Sequence, residues 1–285
     1  MKLTLRPGKP EDAKPCGEIC FNAFTAISRH HNFPPDFPSA EVAAGLLSWM
    51  LSLPDIYSVV AETDGKIIGS NFLWEWDAIA GVGPITIDPA VQNGGVGRKL
   101  MENVLERAGQ KKFAGVRLVQ AAYHNRSLSL YTSLGFDVRE PLANIQGTPL
   151  KKQIAGFPVR PATGDDVEAC SRLCRQIHGH DRRNELRSAI QQKTATVVER
   201  GGRITGYATA IGFFGHAVAE GNDDLKALIA AAGEIGGPGF LLPTRNGDVF
   251  RWCLSQGLRV TQPMTLMSHG LYNEPRGAFL PSILF

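Results

Sequence analysis

A chain of 285 residues is long for one domain, so two are expected. With 43% apolar and 20% charged residues it can bury a core, and 30 basic against 27 acidic side chains leave a formal charge of only +3. That balance excludes nucleic acid or an anionic membrane as the principal partner. No apolar run approaches the roughly 20 residues that span a bilayer, and the first residues lack the apolar block of a secretion signal, so a cytoplasmic protein is expected.

In chain order the periodicities predict a strand at 3–6, helices over about 11–24 and 39–53, a β-hairpin over 57–77, a strand at 82–88 and a helix over 95–109. A strand at 115–122, a helix at 126–134 and a strand at 136–145 follow. The outline then recurs. Arg6, Asp12, Cys16 and Cys20 return as Arg160, Asp166, Cys170 and Cys174, an offset of 154 from residue 6 to residue 160. Leu134-Gly135-Phe136 returns as Gln256-Gly257-Leu258 at an offset of 122, residue 135 to residue 257, so the second copy has lost residues in its middle. Gly147, Pro149 and Gly156 punctuate a polar join near 146–157. The tail from Phe279 to Phe285 is apolar enough to pack back as an edge segment.

Five cysteines, an odd number, argue against a fully paired disulfide framework. Cys16 and Cys20, like Cys170 and Cys174, sit four apart inside a predicted helix, whereas structural zinc draws its thiolates from short knuckles in tight turns. They read as small buried side chains, and His30-His31, with no third ligand nearby, does not read as a metal site.

The most informative stretch runs from Ile85 to Leu100. A β-branched apolar run ends at Asp88-Pro89, Gly94, Gly95 and Gly97 follow, and apolar positions 96, 100, 101, 104, 105 and 108 mark one helical face. Unpartnered amides of a first helical turn, backed by the positive end of the macrodipole, hold an anion such as a pyrophosphate. A Walker loop is excluded because Gly97-Arg98-Lys99-Leu100 lacks the magnesium-binding hydroxyl. A dinucleotide fingerprint is excluded because Leu100 stands where its third glycine belongs.

Gln92-Asn93-Gly94-Gly95-Val96-Gly97, after a strand ending in Asp-Pro, resembles the Gln/Arg-x-x-Gly-x-Gly/Ala signature of the GNAT N-acetyltransferase superfamily. Asn125 to Phe136, with Tyr131 and Gly135-Phe136, resembles that family's second signature. Asn125 lies six before Tyr131 where the family commonly has seven, so His124 competes for that place. The resemblance covers residues 1 to about 150. It implies an α/β fold of the α+β kind: two GNAT-like domains, 1–150 and 151–285, each with a mixed, mostly antiparallel sheet flanked by helices.

The resemblance also implies acetyl transfer from acetyl-CoA to a primary amine of a small molecule by direct attack. Backbone groups of Ile85 and Ile87 would pair with the pantetheine arm, and Gln92, Asn93, Gly94, Gly95, Val96, Gly97, Arg98 and Asn125 form the cofactor-binding set. Tyr131 is the candidate acid for the leaving thiolate, with an aromatic filling the helix–sheet interface as the alternative. Glu75, between two tryptophans, is the candidate base, with an ordinary strand carboxylate and proton loss to water as the alternative. The loop Ser28 to Pro38, a stiff apolar lip, is expected to line the acceptor groove.

In the second copy Ala219 to Lys226 holds Glu220, Asp223 and Asp224 where the phosphate loop should be, and these would repel a pyrophosphate. That half is expected to be a degenerate, non-catalytic domain covering the active groove or forming a dimer surface. A different class of function, a non-catalytic acyl-CoA-binding or regulatory module, stays open because no base is unambiguous.

Overall fold

Asp64-Gly65, both left-handed (φ 47° and 75°), reverses the chain between β2 (Ile56–Thr63) and β3 (Lys66–Trp74), as a two-residue hairpin turn requires. β1 (Leu3–Pro7) extends the pair on the β2 side, and β4 (Ile79–Val82) on the β3 side. β6 (Gly115–Ala121) joins β4 in parallel, so the order is β1-β2-β3-β4-β6. Successive β3 side chains point to opposite faces. Ser70 bonds Cys16 of α1 (Ala13–His30), whereas Asn71 donates to the Leu100 carbonyl of α3 (Val96–Gln110) at 3.3 Å. The two helices therefore cover opposite faces of the sheet. α2 (Ala40–Ser52), capped by the Ser39 hydroxyl, packs on α1 where Gly17 lacks a side chain, since a Cβ there would run into the Ala44 backbone. α4 (Asn125–Ser133) completes this part.

The structure, a computed structural model, describes residues 3–284 and divides into two units. The first runs to Leu118 and resumes over His124–Phe136; the second comprises Val119–Tyr123 and the chain from Asp137 onward.

The second unit repeats the outline with β8 (Val159–Pro161), α5 (Val167–His178), α6 (Arg183–Gln191), β9 (Thr196–Arg200), β10 (Arg203–Ala208), β11 (Ala217–Ala219) and α7 (Asn222–Ala231). β12 (Phe240–Pro243), α8 (Gly247–Ser255) and β13 (Arg259–Gly270) follow, and the tail packs back as edge strand β14 (Ala278–Leu280); Phe285 lies outside the described residues. One sheet has the order β14-β11-β10-β9-β8. The copies share an ion cluster: Arg6 binds Asp12 and Glu62, both at 2.6 Å, and Arg160 binds Asp166 at 2.8 Å and Glu199 at 2.6 Å. In each, the arginine on the first strand ties the turn before the first helix to the second strand, which is why these residues recur together. All five cysteines are buried, and burial pushes the Cys170 and Cys253 thiols up to about 12.

The units depart from the 1–150 and 151–285 division implied by the resemblance over 119–123 and 137–150. β7 (Asp137–Gln146), the last strand of copy one, pairs antiparallel with β12 and with its own counterpart β13. Ile145 of β7 lies in the core formed by Leu225 and Leu228 of α7 and Val249 and Cys253 of α8. The end of β6 goes with it: the Ala122 amide donates to Pro263 O and the Tyr123 hydroxyl to Gln262, both at 3.0 Å.

Candidate active site: an open strand edge and an uncapped helix

The strand expected at 82–88 is two short pieces. Gly83-Pro84 interrupts it, and β5 (Thr86–Ile87) pairs with β3 beyond the end of β4. The Asp88 amide donates to Ile68 O at 2.9 Å, so the backbone groups of Thr86 and Asp88 face β3 and those of Ile85 and Ile87, alternating, face away from it. No other strand of the described residues pairs with that outer edge. Gln92 of the signature turns back, its amide donating to Ile87 O at 3.2 Å, so it clasps the loop to the strand.

Asp88 starts the turn that follows, accepting from the Ala90 amide at 3.0 Å. Asn93 and Gly95 are left-handed (φ 70° and 81°), and Gly95 is the N-cap of α3 with no side chain bonded to the first-turn amides. A Cβ on Gly94 would sit 3.5 Å from Val91 O, and one on Gly97 would sit 3.2 Å from Ile87 and 3.5 Å from Leu130, so β5, the helix start and α4 converge there. The buried members Val96, Leu100, Met101, Val104 and Ala108 anchor α3 to the sheet and leave its first turn exposed on the other side.

Two arginines stand at this mouth. Arg98 donates to Ser133 at 2.6 Å, and Arg126, in the first turn of α4, reaches Asn93 at 3.5 Å. Arg126 is absent from the cofactor set read from the sequence. The signal for it is a cation in a helical first turn, where acids are favoured. His124, the residue that competes with Asn125, is the N-cap of α4, its Nδ1 accepting the Ser127 amide at 3.2 Å. Burial, then the charge of Arg126, lowers its pKa, so the ring stays neutral with the proton on Nε2. Asn125 is exposed, its carbonyl taken by the Ser129 hydroxyl at 2.9 Å.

Tyr131 is buried beside Phe136, with ring centroids 6.1 Å apart, and bonds Ser127. Burial pushes its phenol up to about 12, so it is protonated at any physiological pH. Glu75 is elsewhere. Both its oxygens accept from Arg107, at 2.6 and 2.9 Å, and Arg107 also lies over the Tyr57 ring. Arg107 is eleven residues from Val96, about 16 Å along the helix from the glycine loop. Glu75 follows Trp74, which pairs with Gly81, six residues or up to about 20 Å of extended chain before Ile87. Glu75, expected to face the acceptor, is the counter-ion of Arg107. The neighbouring tryptophans lie at the strand break, Trp74 donating to Gly83 O at 2.9 Å and packing against Trp49 and Trp76 at 5.6 and 5.0 Å. In the loop expected to line the groove, Phe37 packs edge-on against Phe24 at 5.8 Å. Among the described residues no group of His, Cys, Asp and Glu could hold a metal, and no helix is long and apolar enough to cross a membrane.

Residues 24–136 match the acetyltransferase (GNAT) family. An IAA acetyltransferase of Azospirillum brasilense is 27% identical over 103 residues, 35% of this chain and 67% of that protein. Over nearly its whole length the chain resembles the crystal structure of a putative acetyltransferase from Pyrococcus horikoshii, with a TM-score of 0.74 at 16% identity, covering 97% of this chain and 94% of that one. It also resembles a tandem GNAT protein from the clavulanic acid biosynthesis pathway, with a TM-score of 0.56 at 13% identity over 94% of this chain and 98% of that one. The matched segment spans both signatures, the open β5 edge and the uncapped α3: residues 24–136 carry the acetyltransferase (GNAT) family match, and the likeness in fold extends over nearly the whole chain.

Proposed function

We propose that the first unit is an N-acetyltransferase that binds acetyl-CoA and transfers its acetyl group to the primary amine of a small molecule by direct attack. The observation that carries this reading is the join of an unpaired strand edge at Ile85 and Ile87 to a helix start with no side-chain cap and two flanking arginines. The residues fit the cofactor. The first-turn amides of α3, with Arg98 and Arg126, suit a diphosphate, and the outward backbone groups of Ile85 and Ile87 suit an amide-bearing arm. Bound acetyl-CoA supplies an activated acyl thioester.

Tyr131 is the proton donor of this proposal. An alkyl thiol titrates near 8.5, so complete transfer from a phenol at about 12 is uphill by roughly 3.5 pK units, about 5 kcal/mol. The hydroxyl therefore serves first as a hydrogen-bond donor to the departing sulfur, a part that burial suits because it keeps the phenol protonated. With Glu75 bound to Arg107, the amine's proton leaves to water. The second unit is assigned a non-catalytic role.

Acetyl-CoA is expected to raise the melting temperature while NAD and ATP do not; a flat response to acetyl-CoA overturns the proposal. Thiol release measured with amines, amino acids, aminoglycosides, polyamines and peptides then identifies the acceptor. Cofactor binding without turnover above a Tyr131→Phe control would favour an acyl-CoA-binding module instead.

A further inference from the structure

The second copy contains the strand edge that the first leaves open, and there it is filled. In copy one Gly69 and Ser70 of β3 pair with Ile87 and Thr86. In copy two Gly206 and Tyr207 of β10 pair with Ala219 and Val218. The two glycines are one position: a Cβ on Gly69 would lie 2.7 Å from Thr86 O, and one on Gly206 would lie 2.9 Å from Val198 and 3.2 Å from Val218 O. The next hydrogen bond also matches. Asp88 donates to Ile68 O at 2.9 Å, and Glu220 donates to Thr205 O at 2.8 Å. Ala217 and Ala219 thus stand where Ile85 and Ile87 stand, with their backbone groups directed to the outer edge.

In copy two that edge carries β14, with Ala217, Val218 and Ala219 in register with Leu280, Phe279 and Ala278. The segment is fixed along its length. The Arg276 amide donates to Ile177 O at 2.9 Å, the Ile283 amide donates to Phe213 O at 2.8 Å, and the buried Arg182 guanidinium reaches the Ser282 hydroxyl at 3.3 Å. Phe279 packs edge-on against His178 at 5.3 Å. Its approach depends on Gly277, where a Cβ would lie 2.5 Å from Ala219 O and 2.9 Å from Ile177. From Gly277 to Leu284 the segment has no charged residue, as befits an apolar, amide-bearing ligand laid along a strand.

We propose that β14 is a built-in occupant of the second copy's cofactor-arm edge, so that the chain's own C-terminal segment closes this half to acyl-CoA and the protein takes one acetyl-CoA per chain. The inference rests on the reading of Ile85 and Ile87 as the edge that receives the cofactor arm. It assigns the β11 edge as a peptide-binding site, the peptide being residues 277–284.

The test is amide hydrogen exchange on the full chain, with and without acetyl-CoA, alongside titration of binding stoichiometry. In the natural protein acetyl-CoA is expected to slow exchange over 85–98, to leave the already slow Ala217 and Ala219 amides unchanged, and to bind at one per chain. Gly277→Val, which places a side chain against Ala219 O, is expected to speed Ala217 and Ala219 exchange at least about tenfold while the acetyl-CoA effect at 85–98 persists. Slowing of Ala217 and Ala219 by acetyl-CoA, two equivalents bound, or unchanged exchange in the variant overturns the inference. Should Gly277→Val lose the fold of the second unit, Gly277→Ala applies the same criterion with a single methyl. Absence of the effect at 85–98 in the natural protein would overturn the cofactor reading, whereas the variant arm reports on β14 alone.

Discussion

The two copies part company at the starts of two pairs of helices. In copy one neither α3 nor α4 has an acid in its first turn, and Arg98 and Arg126 stand there instead. In copy two α7 begins with Asp223 and Asp224, and α8 with Asp248. Arg126 and Asp248 are the same position, offset by 122 (126 to 248), and each is met by an asparagine at the start of the earlier helix: Asn93, in the turn before α3, at 3.5 Å, and Asn222, the first residue of α7, at 3.0 Å. Copy two neutralises itself, with Lys226 bonding Asp248 at 2.8 Å and buried Asp224 accepting from Thr205 at 2.5 Å. Its helices have the acids that a helix start wants for stability alone. The cations and bare amides of copy one forgo that stabilisation, in keeping with the diphosphate site proposed there. The same offset sets Cys253 where Tyr131 stands, so the proposed proton donor has no counterpart in copy two.

Four measurements test this contrast. Tyr131→Phe is expected to lower kcat by about 10²- to 10⁴-fold with acetyl-CoA affinity unchanged, and Tyr131→Cys, the residue of copy two, to do the same; unaltered turnover would return Tyr131 to a packing role. Next in size, Arg126→Asp imports the charge of copy two and is expected to weaken acetyl-CoA binding about 10- to 100-fold in calorimetry, more at low salt than at high. Equal affinity would remove Arg126 from the cradle.

The third concerns acid stability. In the second unit His216 bonds Glu185 through Nδ1 and Tyr207 through Nε2, both at 2.9 Å, and all three side chains are buried. Burial, then the charge of Arg182, lowers the His216 pKa below its ordinary value of about 6.5. Because the unfolded chain takes up this proton first, the contribution is whole above about pH 6.5 and is lost as the pH falls through the depressed folded value. Burial alone would raise Glu185, but Arg182 and His216 outweigh it and hold it down to about 2, so its contribution fades from about 4.5 toward 2. Exchange protection of the second unit should fall between pH 7 and 5 in the natural protein and change less in His216→Gln; equal slopes would count against this account. The smallest catalytic effect is expected from Glu75→Gln: kcat within about threefold, with about 1–3 kcal/mol of stability lost from the Arg107 pair in thermal unfolding. A collapse of kcat with stability intact would restore Glu75 as base.

Much of the site is legible in the sequence. Gly94, Gly95 and Gly97 stand out because the need for left-handed or closely approached backbone is local. Arg6, Asp12 and Cys16 with their counterparts are legible because one repeat preserves one set of contacts. The Arg107 partner of Glu75 is not legible in the sequence, because strand alternation says which face a side chain takes, not which cation reaches it. Arg126 escapes notice because its meaning depends on Asn93, 33 positions earlier, being folded against it.

The glycine turn, the helix that follows it, the duplicated outline and the apolar tail are all dictated locally, by conformational preference and periodicity over a few neighbouring residues. Long-range contacts settle the rest: the 82–88 strand breaks to leave an open edge, β7 pairs with β12 and β13, and β14 lies on β11. Strand partners are chosen by hydrogen bonds and packing between segments far apart in the chain, and an isolated strand carries no record of which edge it will meet.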